Sequence, residues 1–485
     1  MKRRTFCLGM GLTMGSLCVP PAVPATAAAR GGAALDNLHE TVARAARDLA
    51  ANRSLRLAVL IPQGSLANVA PVAEAFGAAT GIAVDLKEEP VDTISARMVV
   101  DTMSGGGTCD LALPATFNLP DLVEAGAVVN LDAFAAKYEP AGFRTSALFS
   151  LGDQYKGNLY GYQTDGDAYL MFYHRDWLED PDERKRFADR HGYELKVPET
   201  WEELDTAMAF FHRPEEQRYG GALFRAANYI AWEFWIRFHA KGFWPFDEDL
   251  EPQIDNAAGV AALEELLAAS RSLAPSVRTD TFDANFRTFE RGNIFCNIGW
   301  GGTQKHLNRP DSRMRGRLAF GPTPGGYVDG RLLTVPYFNW GWNYTVSSGS
   351  QTPEIAYLFA LYASSPEMST RAVREPAGYF DPFRSEHYRD PQIVEAYSSE
   401  FLFVHRRSMA RSIPDLYLKG QGEYFDALRE NLIKADSGLI DAQEALTRTA
   451  MQWRQTTRRN GRQSQIEQWT FLRSRYPQDV RALLR

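Results

Sequence analysis

The sequence predicts an α/β protein built on parallel sheet, and three observations predict it. Between residues 55 and 113, three short apolar runs alternate with two helical patterns. A further unbroken apolar run at 169–173 reads as a strand buried on both faces. The chain has 485 residues, enough for two or more domains with a large core.

The first run, 55–61, is rich in apolar and branched residues and reads as a strand. Pro62, Gln63, Gly64 and Ser65 form a turn. Residues 71–80 place Val72, Phe76 and Ala79 on one helical face, and Gly81 ends that helix. A second strand follows at 82–86, a helix at 91–103 and a third strand at 110–113. Strand, helix and strand in repetition give a parallel sheet with right-handed crossovers. Ligands bind such sheets at the carboxyl ends of the strands, which points to Gln63 and Thr116. No glycine fingerprint or Walker sequence follows the first strand, so the nucleotide signal is absent and a binding module stays open.

Further along, Thr200 and Glu203 have the spacing of a capping box. An aromatic helix spans 227–242, with Trp232 and Trp235 read as core, and an Ala- and Leu-rich helix spans 256–272. Residues 288–300 run from a helix end into a strand, and Trp300 precedes a Gly301-Gly302 turn. A strand pattern returns at 333–347, where alternation puts Trp340 and Trp342 on one face. Thr352 and Pro353 open a helix at 354–364. The remainder is helical, interrupted at 378–384. The arginines of the last thirty or so residues, Arg458, Arg459, Arg462, Arg473 and Arg475, read as a solvated helix face.

Lys2, Arg3 and Arg4 precede an apolar run and an Ala25-Thr26-Ala27 site, which predicts an export signal over 1–27. Arg3-Arg4-Thr5-Phe6 resembles a twin-arginine signal, with ordinary Sec export as the alternative. Leu17 before Cys18 speaks against a lipid anchor. No later run reaches the roughly 18 to 20 apolar residues of a membrane span. The mature protein is therefore expected to be soluble and periplasmic. Residues 28–54 carry a helical stripe of Leu38, Val42, Ala45, Ala46 and Leu49. The net charge of -7 argues against nucleic acid as a partner. Cys109 and Cys296 sit in apolar contexts and are expected as buried free thiols. The eight histidines show no ligand spacing, so no transition-metal site is signalled, and a binding protein of the kind described below needs no cofactor.

The chemistry concentrates at Asp165-Gly166-Asp167, just before the 169–173 run. Carboxylates at the entrance of a buried strand are poorly placed for stability and well placed to grip something polar in a cleft. An Asp-Gly turn accounts for Asp165 equally well. As a glycosidase pair the two acids fit badly, because residues two apart around a glycine rarely face each other across a sugar.

The passages 76–82, 109–131, 161–177 with 198–204, 292–300 and 340–348 together resemble the extracellular solute-binding proteins of ABC importers. The resemblance is to the carbohydrate-binding group that includes maltose-binding proteins. It implies two α/β lobes of discontinuous segments, joined by hinge strands and closing over a ligand. Lobe 1 is expected at 55–163 plus 327–365, and lobe 2 at 164–326 plus 366–450. A helical extension at 28–54 and a basic helical tail at 451–485 flank them. The resemblance implies a monomer that delivers a sugar or polyol-like solute to ABC permease subunits, without catalytic residues. A non-transport accessory or sensor protein on the same scaffold, or a periplasmic glycosidase, is the alternative. In such a site carboxylates hold hydroxyls and aromatic rings cover the C–H faces. Asp167 falls where the family places an acidic contact and Trp300 where it places a stacking ring. Trp342 lies in the crossing back to lobe 1, and Tyr379 belongs to a late loop that supplies an aromatic. Arg384 and Asp381 of that loop either contact ligand or pair with each other.

Overall fold

The computed structural model describes residues 35, 37–51, 53–90, 93–149, 151–338 and 341–485. The expected export signal and Trp340 lie outside the described residues.

Two sheets organise the fold. The first has the strand order Ala83–Glu89, Arg56–Pro62, Leu111–Ala112, Asn343–Val346, Gly161–Gln163. Its first three strands are parallel, as the alternating pattern predicts. Asn343–Val346 arrives from far along the chain and pairs antiparallel with both neighbours. The second sheet has the order Leu318–Pro322, Leu170–His174, Ile294–Gly299, Tyr219–Ala222. Every residue of Leu170–His174 is buried, which is why that stretch shows no polar alternation.

Helices cover both sheets. Leu38–Ala50 turns Leu38, Val42, Ala43, Ala46 and Ala50 inward and packs on the Pro353–Ala363 and Leu66–Thr80 helices. The Leu66–Thr80 helix starts before the expected residue 71 and carries Pro71 inside. The Ser65 carbonyl accepts the amides of Asn68 and Val69, so the helix is already nucleated when Pro71 removes one donor. The Thr200 box forms as its spacing predicts. Thr200 Oγ1 accepts the Glu203 amide at 3.2 Å, and Glu203 Oε2 accepts the Thr200 amide at 3.3 Å.

Among the described residues the chain passes between the sheets at three places. The first crossing, 164–169, runs beside the second, which includes 335–338 and 341–342. The Thr164 amide and hydroxyl donate to the Trp342 carbonyl at 3.1 and 2.9 Å, and the Tyr169 amide donates to the Tyr337 carbonyl at 2.8 Å. The third crossing follows the Pro366–Arg374 helix. That helix, expected in lobe 2, packs on Leu66–Thr80 beside the first sheet. After the crossing, Pro391–Tyr397 packs on Gly301–Leu307, and Ser399–Arg411 packs on Leu318–Pro322 of the second sheet.

The C-terminal segment is more than a solvated face. The Ala442–Arg459 helix runs straight through the expected boundary at 451. Trp453 and Trp469 are fully buried, and their indole N–H groups donate to the carbonyls of Tyr424 and Asp247 at 2.7 and 2.8 Å. Its arginines do lie outward, where Arg459 pairs with Glu423 and Arg462 with Glu251. Cys109 and Cys296 are buried free thiols. Among the described residues no helix is long and apolar enough to cross a membrane.

Candidate functional site

The crossings meet at three buried carboxylates. Asp165, Asp167 and Asp381 each offer an oxygen within 4.8 Å of the others. Asp165 Oδ1 accepts the amides of Gly166 and Asp381, at 2.7 and 2.5 Å. Asp381 Oδ1 accepts the Tyr397 hydroxyl at 2.7 Å, and its Oδ2 accepts the Gly302 amide at 3.1 Å. Asp165 Oδ2 and Asp167 Oδ1 are buried with no hydrogen-bond partner among the described residues.

Three acids this close and this dry resist ionisation. Burial, then the Asp381 charge, holds the Asp165 carboxyl well above its ordinary range. Burial, then the Asp165 charge, does the same for Asp167. Burial pushes Asp381 up to about 6, against the pull of Lys305, the Tyr397 hydroxyl and the Gly302 and Gly301 amides.

The third crossing is stapled from both sides. From the first sheet's side, Asn68 Oδ1 accepts the Tyr379 and Phe380 amides at 2.8 and 3.3 Å. From the other, Lys305 Nζ donates to the carbonyls of Glu375, Gly378 and Phe380 at 2.9, 3.0 and 2.9 Å. Burial draws the Lys305 amine down to about 8. His405 holds the Gly166 turn, its Nε2 lying 2.8 Å from the Gly166 carbonyl. A carbonyl only accepts, so Nε2 carries the proton; Nδ1 lies 2.8 Å from the Tyr388 hydroxyl, whose one hydrogen also has the Pro382 carbonyl at 3.1 Å. Gly166 has no room for a side chain, because a Cβ there would overlap the Pro382 carbonyl.

Aromatic rings surround the acids. The Tyr169 ring centroid lies 5.8 Å from both Trp300 and Trp232, and 5.5 Å from Tyr337. The Tyr169 hydroxyl is buried and has no hydrogen-bond partner among the described residues. The helix that carries Trp232 is locked by Glu233, which bridges the buried Arg225 and Arg237. Tyr379 sits between the two sides. One edge of its ring would overlap a Cβ placed on Gly64, and the other lies 3.3 Å from where Gly302 would carry one.

Residues 72–398 match the family model for bacterial extracellular solute-binding proteins. The chain belongs to that family. This solute-binding protein shares its fold with several solved structures. One is the maltose-bound MalE3 of T. maritima, at 19% identity and a TM-score of 0.70, covering 83% of this chain and 99% of that one. A second is the ABC transporter solute-binding protein of Agrobacterium vitis S4 with bound D-mannitol, at 18% and 0.68, covering 84% and 99%. A third is that of Agrobacterium radiobacter K84 in complex with ribitol, at 18% and 0.69, covering 82% and 97%. The likeness is one of fold: two α/β lobes.

The expected contacts of the solute-binding protein divide into two groups. Asp165, Asp167, Trp300 and Tyr379 come together where the crossings meet, with Trp300 and Tyr379 partly exposed. Trp342 is also partly exposed, but its carbonyl is taken by Thr164. The strand-end residues are less involved. Gln63 is exposed, and Thr116 is buried with its hydroxyl on the Asn343 side-chain oxygen. Arg384 neither pairs with Asp381 nor faces the acids. It donates to the Phe143 carbonyl, Ser146 Oγ and the Ser364 carbonyl at 3.1, 2.8 and 2.8 Å, pinning the crossing to the first lobe. Trp235 is core as expected, whereas Trp232, also expected in the core, is partly exposed among the site rings. Lys305, Asn68, Tyr397 and His405 carry no local sequence signal and emerge only from the fold.

Proposed function

We propose that this protein is the periplasmic substrate-binding component of an ABC importer. It holds a sugar or polyol-like solute between its lobes and delivers it to permease subunits. Export by the twin-arginine route and action as a monomer belong to the same reading. The observation that carries it is the pair of open carboxylate oxygens on Asp165 and Asp167 beside the Tyr169, Trp232 and Trp300 rings. Oxygens of this kind suit hydroxyl donors, and rings of this kind suit C–H faces. Solved relatives of the fold hold maltose, D-mannitol and ribitol, which supports the class of solute. Closure over the solute would give the permease a shape to distinguish.

A thermal-shift panel of sugars, polyols and their phosphates tests the reading. At least one is expected to raise the melting temperature of the wild type. The double variant Asp167→Ala, Trp300→Ala is expected to lose that shift and still unfold cooperatively. Full retention of the shift would move the binding site elsewhere.

A further inference from the structure

We propose that the solute carries a protonated amine: an amino sugar or amino polyol whose ammonium group sits among Asp165, Asp167 and Asp381. The inference rests on the sugar or polyol reading above and narrows it.

The first argument is charge. The three carboxylates are buried within 4.8 Å of one another, and the buried cation that faces them is Lys305. An ammonium group has three N–H donors, and all three of those on Lys305 go to backbone carbonyls. Among the described residues no direct ion pair therefore meets any of the three carboxyls, and the charge they would carry when ionised is left for a ligand to balance.

The second argument is the kind of partner the open atoms need. Asp165 Oδ1 and both Asp381 oxygens already accept hydrogen bonds. Asp165 Oδ2 and Asp167 Oδ1 do not, and both belong to residues at least nine-tenths buried. A sugar hydroxyl offers one hydrogen and no charge. An ammonium group offers three hydrogens and the charge, and a charge-assisted bond is roughly twice as strong as a neutral one. The fully buried Tyr169 hydroxyl, also open, lies near enough that the Asp167 charge acts on it.

The third argument is the rings. The faces around Tyr169, with Trp232 and Trp300 each 5.8 Å away, favour an organic cation over a bare one. A divalent ion would ask for six or more oxygens, and two open carboxylate oxygens are a poor cage for it. An ammonium group among the three acids would favour the ionised carboxylates that burial and mutual repulsion oppose.

Isothermal titration of the full mature chain near neutral pH tests the inference with matched pairs. The pairs are D-glucosamine with D-glucose, D-galactosamine with D-galactose, and D-glucamine with D-sorbitol; calcium chloride is a separate arm. In at least one pair the amine is expected to bind about tenfold tighter than its neutral partner, the scale of one charge-assisted contact. Asp167→Asn is expected to narrow that gap while the ligand-free variant melts no lower than wild type. If that variant fails to fold, the wild-type ratios decide alone. Neutral members binding as tightly as amines in every pair would overturn the inference and leave the sugar reading standing. Calcium binding that displaces the amines would overturn it in favour of a metal. No binding by any member would overturn both readings.

Discussion

The Asp165 carboxylate accepts the backbone N–H of Asp381 at 2.5 Å, tying together positions 216 residues apart. With the Gly166 amide at 2.7 Å, it closes a knot between the first and third crossings. Asp165→Ala strips an acceptor from two buried amides and should cost about 2 to 3 kcal/mol in urea unfolding. Asp165→Asn keeps an oxygen in place and should cost less than about 1 kcal/mol. Equal losses for the two variants would show that the acceptor is not what holds the knot.

The acid trio also sets a pH dependence. Burial and mutual repulsion raise Asp165 and Asp167, and burial brings Asp381 to about 6. Between the ordinary value near 4 and these raised values, the folded chain binds more protons than the unfolded one. Stability from these groups is therefore lost as pH rises through that window. His405 and His239 work the other way. Burial draws both down to about 4, so their contribution is lost as pH falls from about 6.5 toward 4. The double variant Asp165→Asn, Asp167→Asn keeps both histidines. Wild-type stability minus variant stability should thus be larger at about pH 5 than at about pH 8. Denaturant melts at the two values check this, and a flat or reversed difference sinks it.

Lys305 holds the third crossing through three carbonyls. Lys305→Met leaves those carbonyls without their donor in a dry site and should cost about 3 kcal/mol or more. Limited proteolysis should then cut within 375–385 faster than it does in the wild type. Unchanged stability and an unchanged digest would mean the staple is redundant.

Gly166 is pressed against the Pro382 carbonyl. Gly166→Ala should cost about 1 to 3 kcal/mol by overpacking. Because the displaced turn carries Asp165 and Asp167, ligand-induced stabilisation should weaken as well. A variant with wild-type melting and wild-type ligand shifts would show that the loop yields without consequence.

How much of this was legible in the sequence depended on the range of the interaction. The buried strand at 170–174, the Thr200 box and the Pro353 helix rest on neighbours in sequence, and each forms as its local pattern implies. Asp165 and Asp167 were visible because acids before a wholly apolar run are out of place. Their setting was not visible. Asp381 reaches Asp165 across 216 residues and His405 reaches the Gly166 carbonyl across 239, while Tyr397 bonds Asp381 in turn. The setting of Arg384 was hidden for the same reason: its partners, Phe143, Ser146 and Ser364, share no local pattern with it. The C-terminal arginines masked Trp453 and Trp469, whose burial depends on surfaces such as Phe246. Composition reports what a segment shows to water more readily than what it hides.

Tyr379 has a glycine at each edge of its ring, Gly64 after a strand of the first sheet and Gly302 after a strand of the second. A plate gripped this way acts as a spacer, since the jaws stop where they meet it. The gauge is written in two missing methyl groups. A methyl group restored at Gly64 would displace the plate itself, and one at Gly302 would press first on the Trp300 indole beside it.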